Sequence, residues 1–199
     1  CTHMWRCLSH WIGGMGILVF LLAVLPLVGG SNMQLMKAES PGPSVGKLVP
    51  KVRFTARILY YLYVALTLLQ VVVMLLGGMT LYEALCTSFG TAGTGGFGIR
   101  GDSIASFSPF LQWAITIFMV AFGVNFNVYF LLYMRRPKEA LRCEEMRWYL
   151  AIITAAALLI FVNAYDAALT IEHNLRQSFF QVASIITTTG FATADFNLW

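Results

Sequence analysis

Two short segments of this 199-residue chain combine residue types at a spacing that can do chemistry. One reads Thr91-Ala92-Gly93-Thr94-Gly95-Gly96-Phe97-Gly98, the other Thr187-Thr188-Thr189-Gly190-Phe191. Laying Gly96-Phe97 on Gly190-Phe191 also lays Thr94 on Thr188, at an offset of 94 residues. Glycine takes positive φ without steric cost, so successive carbonyls can turn toward a common axis. Threonine adds a hydroxyl without bulk or charge. Such a turn suits passive coordination of a bare monovalent cation, with backbone carbonyls replacing its water shell. One Thr-x-Gly-Phe segment alone reads better as a small-residue packing surface between membrane helices. Two copies in equivalent surroundings turn the inference toward coordination.

Those surroundings are apolar. The chain is 58% hydrophobic and 11% charged, with a mean hydropathy of +0.73, against about 25% charge and 45–50% apolar residues in soluble domains. A water-soluble globule is excluded. Residues 9–36, 58–82, 103–134 and 148–165 hold no Asp, Glu, Lys or Arg, and a spanning helix needs roughly 20 apolar residues. A β-barrel would instead alternate over segments of about ten residues. The pattern predicts an all-α integral membrane protein with spans at 9–29, 58–79, 108–134 and 148–167.

Lys37, Lys47, Lys51, Arg53 and Arg57 fall between the first two spans, and Arg135, Arg136, Lys138, Arg142 and Arg147 between the third and fourth. Basic residues are retained on the cytoplasmic side, so both Gly/Thr segments lie on the extracytoplasmic side. Each follows a short helix-compatible stretch, Leu81–Gly90 and Gln177–Ile186. A helix of about ten residues rises about 15 Å, half of a roughly 30 Å hydrocarbon core. It therefore dips in and leaves its last carbonyls near mid-depth, where non-helical backbone is tolerated only in protein or along a water-filled path. The negative end of that half-helix favours a cation. The unit is span, short helix, Gly/Thr turn, span; it occurs once in full and once without its closing span. Because the first residue is Cys1 and not Met, the chain reads as part of a longer one.

The same residues resemble the potassium-translocating subunits of the Trk/Ktr/HKT family, closest to its bacterial TrkH branch. The matching motifs are Trp11-Ile12-Gly13-Gly14-Met15-Gly16-Ile17, Ala38-Glu39-Ser40-Pro41-Gly42-Pro43, Thr94-Gly95-Gly96-Phe97, Gly123-Val124-Asn125-Phe126 and Ser184-Ile185-Ile186-Thr187-Thr188-Thr189-Gly190-Phe191. The resemblance implies repeated span–pore helix–filter loop–span units, as in potassium channels. Residues 1–30 would close a first pore unit, 31–55 form a cytoplasmic loop, 56–134 a second unit, 135–146 another cytoplasmic loop, and 147–199 a third unit ending after its filter. It also implies potassium uptake across the bacterial inner membrane, no catalysis and no cofactor, and potassium as the cargo. Gly96 and Gly190 match the filter glycines, and Thr94, Gly95, Thr188 and Thr189 the positions whose carbonyls face the ion. A homodimer and a cytoplasmic nucleotide-binding regulatory subunit are implied as partners beside the lipid bilayer. A sodium-permeable or pump-associated relative, a carrier with broken helices, and a non-conducting membrane protein remain as rival readings.

Other residues carry weaker signals. Asp102 and Asp195 read either as an acidic outer vestibule or as exposed carboxylates or helix caps. Glu83 suits the positive N-terminal end of its helix. Gln70, Asn125, Asn127 and Asn163 read as bundle-facing polar groups, and Trp5, Trp11, Trp113 and Trp148 as interfacial anchors. The four cysteines show no CxxC pair and no His at ligand spacing, and His3, His10 and His173 read as packing residues. The net charge of +4 lies beside the spans and does not point to nucleic acid.

Overall fold

The computed structural model describes residues 2–14, 16, 52–135, 137–164 and 168–194. The motif at 38–43, Asp195, and most of the basic stretch at 37–57 lie outside the described residues. The chain forms α1 (Thr2–Gly14), α2 (Val52–Leu76), α3 (Leu81–Ala92), α4 (Pro109–Gly123), α5 (Phe126–Tyr133), α6 (Pro137–Leu141), α7 (Glu144–Asn163) and α8 (Ile171–Ile186). Among the described residues there is no strand, only an isolated bridge between Arg100 and Ser103.

The 19 residues Ile58–Leu76 of α2 and the 20 of α7 are long and apolar enough to cross a membrane. Only 11% of the α7 window is buried inside the protein, and Leu158, Leu159 and Val162 stand exposed on it, as do Leu68, Leu69, Val72 and Leu76 on α2. An unbroken apolar exterior of this kind is solvated by lipid. Helix α2 begins at Val52, six residues before the expected span.

The expected single span 108–134 is two helices. Helix α4 ends at Gly123, Val124 is extended at φ −70°, ψ 140°, and α5 starts at Phe126. Glycine and asparagine both weaken a helix interior, and asparagine competes for backbone groups. Here Asn125 also donates from Nδ2 to Glu145 Oε2 at 2.8 Å, tying the break to the start of α7. The expected loop 135–146 contains the short helix α6, with Arg135, Lys138 and Arg142 exposed.

The two short helices start earlier or end later than their sequence pattern suggests. Thr80 caps α3 and Thr170 caps α8, each hydroxyl accepting from the backbone N–H three residues on (Glu83, His173). Helix α8 thereby gains six residues over the expected 177–186. The packing also repeats. Helix α3 packs on α1 and α2, and α8 on α4 and α7. The shared core joins Tyr63 and Met74 of α2, Ile115, Met119 and Phe122 of α4, Phe180 of α8, and Phe191 beyond it.

Candidate functional site

Both Gly/Thr segments leave the C-terminal end of a short helix, and they do so by the same turn. The capping residues Gly93 and Thr187 have identical backbone angles, φ −81° and ψ 0°. In the first turn Thr94 N–H donates to Thr91 O at 3.1 Å, and Gly95 and Gly96 N–H both donate to Gly90 O at 2.7 and 3.4 Å. In the second, Thr188 N–H donates to Ile185 O at 3.0 Å, and Thr189 and Gly190 N–H both donate to Ser184 O at 2.9 and 3.3 Å. Every donor and acceptor is displaced by 94 residues.

The φ signs match as well. Thr94 (54°) and Gly96 (62°) are positive, as are Thr188 (57°) and Gly190 (87°), while Gly95 and Thr189 between them are not. Alternating handedness turns successive carbonyls to one side, whereas a strand would alternate them. A non-glycine residue at positive φ is uncommon. Two threonines held there, at equivalent places, mark backbone that the surroundings over-determine.

The two turns meet. A Cβ added to Gly96 would collide with Thr189 O and come within 2.8 Å of Gly190 C, whereas one added to Gly190 meets nothing within 4 Å among the described residues. Ile104 N–H donates to Ala192 O at 3.1 Å, and Ala192 N–H donates to Ser103 Oγ at 3.2 Å. Phe191 is buried, with its ring tip against Gly90 of α3, and Ser184 Oγ donates to Phe191 O at 2.6 Å.

Several supporting residues escaped the sequence reading. Tyr63 Oη donates to Trp11 O at 2.8 Å, and Tyr149 Oη to Val120 O at 3.2 Å. Trp11 and Val120 each lie three residues before a glycine, Gly14 and Gly123, that packs against one of the capping residues. A Cβ on Gly14 would stand 2.8 Å from Gly93 Cα, and one on Gly123 would stand 2.9 Å from Thr187 Cγ2. Each tyrosine thus satisfies a carbonyl near the end of a helix, beside a turn. The 109-residue spacing between Gly14 and Gly123 is the only trace of this in the sequence. His10 Nδ1 donates to Gly93 O at 2.9 Å, its ring edge-on to Phe97, and so braces the first turn from α1. Trp11, expected at an interface, instead stacks on Tyr63 and donates to Thr67 Oγ1 at 3.1 Å. Trp5 and Trp148 are exposed.

The outer ends of α3 and α8 hold paired charges. Glu83 completes a capping box with Thr80, and Arg100 lies 3.0 Å from its other oxygen. The Thr80 backbone N–H, then Arg100, hold its carboxyl below the usual carboxylate range. Glu172 is lowered too, first by the Trp113 indole N–H and then by Arg176. Arg176 is only 4% exposed. Its Nε donates to Gln112 Oε1 at 2.8 Å, and Gln112 Nε2 donates to the carbonyls of Ile104, Ala105 and Phe107. That chain of bonds pins the loop leaving the first turn. Asp102 is exposed and does not cap α4, whose cap is Ser108. Gln70, read as bonding across the bundle, is fully buried, and its amide has no partner among the described residues. Asn163 is exposed.

Comparison with known proteins agrees with this architecture. The family described as "TrkH: Cation transport protein" matches residues 2–171. The Trk system potassium uptake protein TrkH of Salmonella typhimurium is 37% identical over 98% of this chain and 41% of its own length. The Escherichia coli K12 protein of that name is 36% identical over the same shares. The chain spans about two fifths of these relatives. The crystal structure of the potassium transporter TrkH from Vibrio parahaemolyticus superimposes with a TM-score of 0.79 at 29% identity, covering 100% of this chain and 40% of that one. With helices alone among its described residues, a lipid-facing exterior, a repeated turn and a family match over most of its length, the chain belongs to the TrkH family of cation transport proteins.

Proposed function

We propose that this chain is part of a potassium uptake protein of the bacterial inner membrane, and that its two turns are neighbouring segments of one selectivity filter. Thr94, Gly95, Gly96, Thr188, Thr189 and Gly190 contribute backbone carbonyls to a dehydrated potassium ion. The observation that carries this reading is the contact of Gly96 with Thr189 and Gly190, two turns of the same hydrogen-bond pattern and the same φ alternation brought together. The C-terminal ends of α3 and α8 add negative potential there, and the carboxylates at their outer ends are neutralised by Arg100 and Arg176. The potassium specificity is taken from the named relatives.

On this reading residues 56–134 and 147–199 are successive pore units, 1–30 closes an earlier one, and 31–55 and 135–146 face the cytoplasm. The filter loops face outward, and a homodimer and a cytoplasmic nucleotide-binding regulator are the partners. The chain does no catalysis of its own. Ions move passively down their electrochemical gradient.

The test is rubidium uptake by the full-length protein in bacteria lacking their own potassium uptake systems, beside Gly96→Ser and Gly190→Ser at matched membrane expression. Wild type should take up rubidium, sodium should not substitute, and Gly190→Ser should admit sodium. Gly190 is the cleaner probe, because a Cβ there meets nothing within 4 Å among the described residues. No uptake by well-expressed wild type, or selectivity unchanged in both variants, overturns the filter reading.

A further inference from the structure

A group of soft donors away from the turns has no part in the proposed ion path. His3, Cys7 and Cys86 bring a ring nitrogen and two sulfurs within 4.8 Å of one another. Cys7 Sγ lies 3.6 Å from His3 Nε2, and Cys86 Sγ lies 3.5 Å from Met4 Sδ. Three of the four residues come from α1. His3 and Cys7 are spaced i, i+4, which puts them on one helix face, and Cys86 reaches them from α3. The His3–Cys7 spacing is legible in the sequence, but only the helix pairing adds Cys86, which meets Met4 from 82 residues away. The expectation of no histidine at ligand spacing is therefore corrected: His3 lies four residues before Cys7, with Nε2 3.6 Å from its sulfur.

We propose that His3, Met4, Cys7 and Cys86 form a binding site for a thiophilic divalent cation of the zinc type. A tetrahedral zinc centre, with Zn–S of about 2.3 Å and Zn–N of about 2.0–2.1 Å, holds its donors roughly 3.5–3.8 Å apart. The His3–Cys7 pair already stands at that separation, and all three of His3, Cys7 and Cys86 hold their donor atoms within 4.8 Å of one another. Cys7 and Cys86 are fully buried, so charge must balance inside the site. A divalent ion with two thiolates and a neutral imidazole leaves no net charge there, and the thiols give up their two protons as it binds. The donors include no oxygen, so hard cations, potassium among them, are poorly served.

One local bond must yield. Arg6 Nη2 donates to His3 Nδ1 at 2.9 Å, which leaves the ring proton on Nε2, facing Cys7. Metal binding moves that proton to Nδ1 and releases Arg6. Removing Arg6 should therefore tighten binding.

The test is cobalt(II) titration of the purified full-length protein, reduced with a phosphine, with every cysteine other than Cys7 and Cys86 changed to serine. One equivalent should bind with a thiolate-to-cobalt charge-transfer band, and zinc should displace it. The band should vanish in Cys86→Ser. Affinity in His3→Gln, which keeps both thiols, should fall by at least the about 10–100-fold typical of losing an outer-shell partner, and it should rise in Arg6→Gln. No saturable band, a band that survives Cys86→Ser, or affinity unchanged in His3→Gln overturns the proposal. So does a Cys7–Cys86 disulfide in the protein as isolated from membranes. None of these readouts depends on ion flux, so this site and the potassium reading fail separately.

Discussion

Gly96 and Gly190 occupy equivalent places in two copies of one turn, yet they are constrained differently. Both have positive φ, where a Cβ costs roughly 1–2 kcal/mol. Gly96 also faces the backbone of Thr189 and Gly190 across the contact, while Gly190 has no such neighbour among the described residues. Gly190→Ala should therefore lower stability by about that strain alone, and Gly190→Asn by less, since asparagine tolerates the left-handed region. Gly96→Ala should be clearly worse, or fail to accumulate in the membrane. Thermal unfolding of the detergent-solubilised variants tests the ranking; equal losses at the two sites would mean that the turns do not touch as described.

At the level of elements, the caps of α3 and α8 join secondary structure to charge. Glu83 and Glu172 both have carboxyls held below their ordinary value of 4.5 by donors present only in the folded chain. A carboxylate whose folded pKa is depressed stabilises fully above the unfolded value and loses that contribution as pH falls through the lowered folded value. Stability should thus decline as pH falls below about 4.5, and the gap between wild type and the Glu83→Gln, Glu172→Gln double variant should close over the same range. Melting temperature against pH reads this out, and a gap that persists at low pH would assign the effect to packing. The pairs Tyr63–Trp11 and Tyr149–Val120 act at this scale too, each tying the end of one helix to the first helix of the next repeat.

Across the whole molecule, the arrangement is a repeat in which a short helix packs on both the preceding closing helix and the span before it. Arg135, Lys138, Arg142 and Arg147 follow α5 or open α7, whereas Asp102 precedes α4. If the positive-inside distribution sets orientation, Asp102→Cys should react with an impermeant maleimide in intact cells, and Lys138→Cys only after permeabilisation. Both positions are exposed, so protection does not explain a difference. The reverse pattern would invert the proposed topology and place the turns on the cytoplasmic side.

The sequence alone carried the membrane environment, the helical class, the two turns and their 94-residue offset. These depend on local composition and on glycine and threonine chemistry, which neighbours along the chain express. It also carried the break at Gly123-Val124-Asn125 as a motif without revealing that the helix stops there. Helix packing was needed to set Gly96 against Thr189, to turn Trp11 inward onto Tyr63, and to bury Arg176 against Gln112. It alone gathered His3, Met4, Cys7 and Cys86. Each of these joins residues far apart in the chain, and side-chain types say nothing of such meetings until the helices have packed.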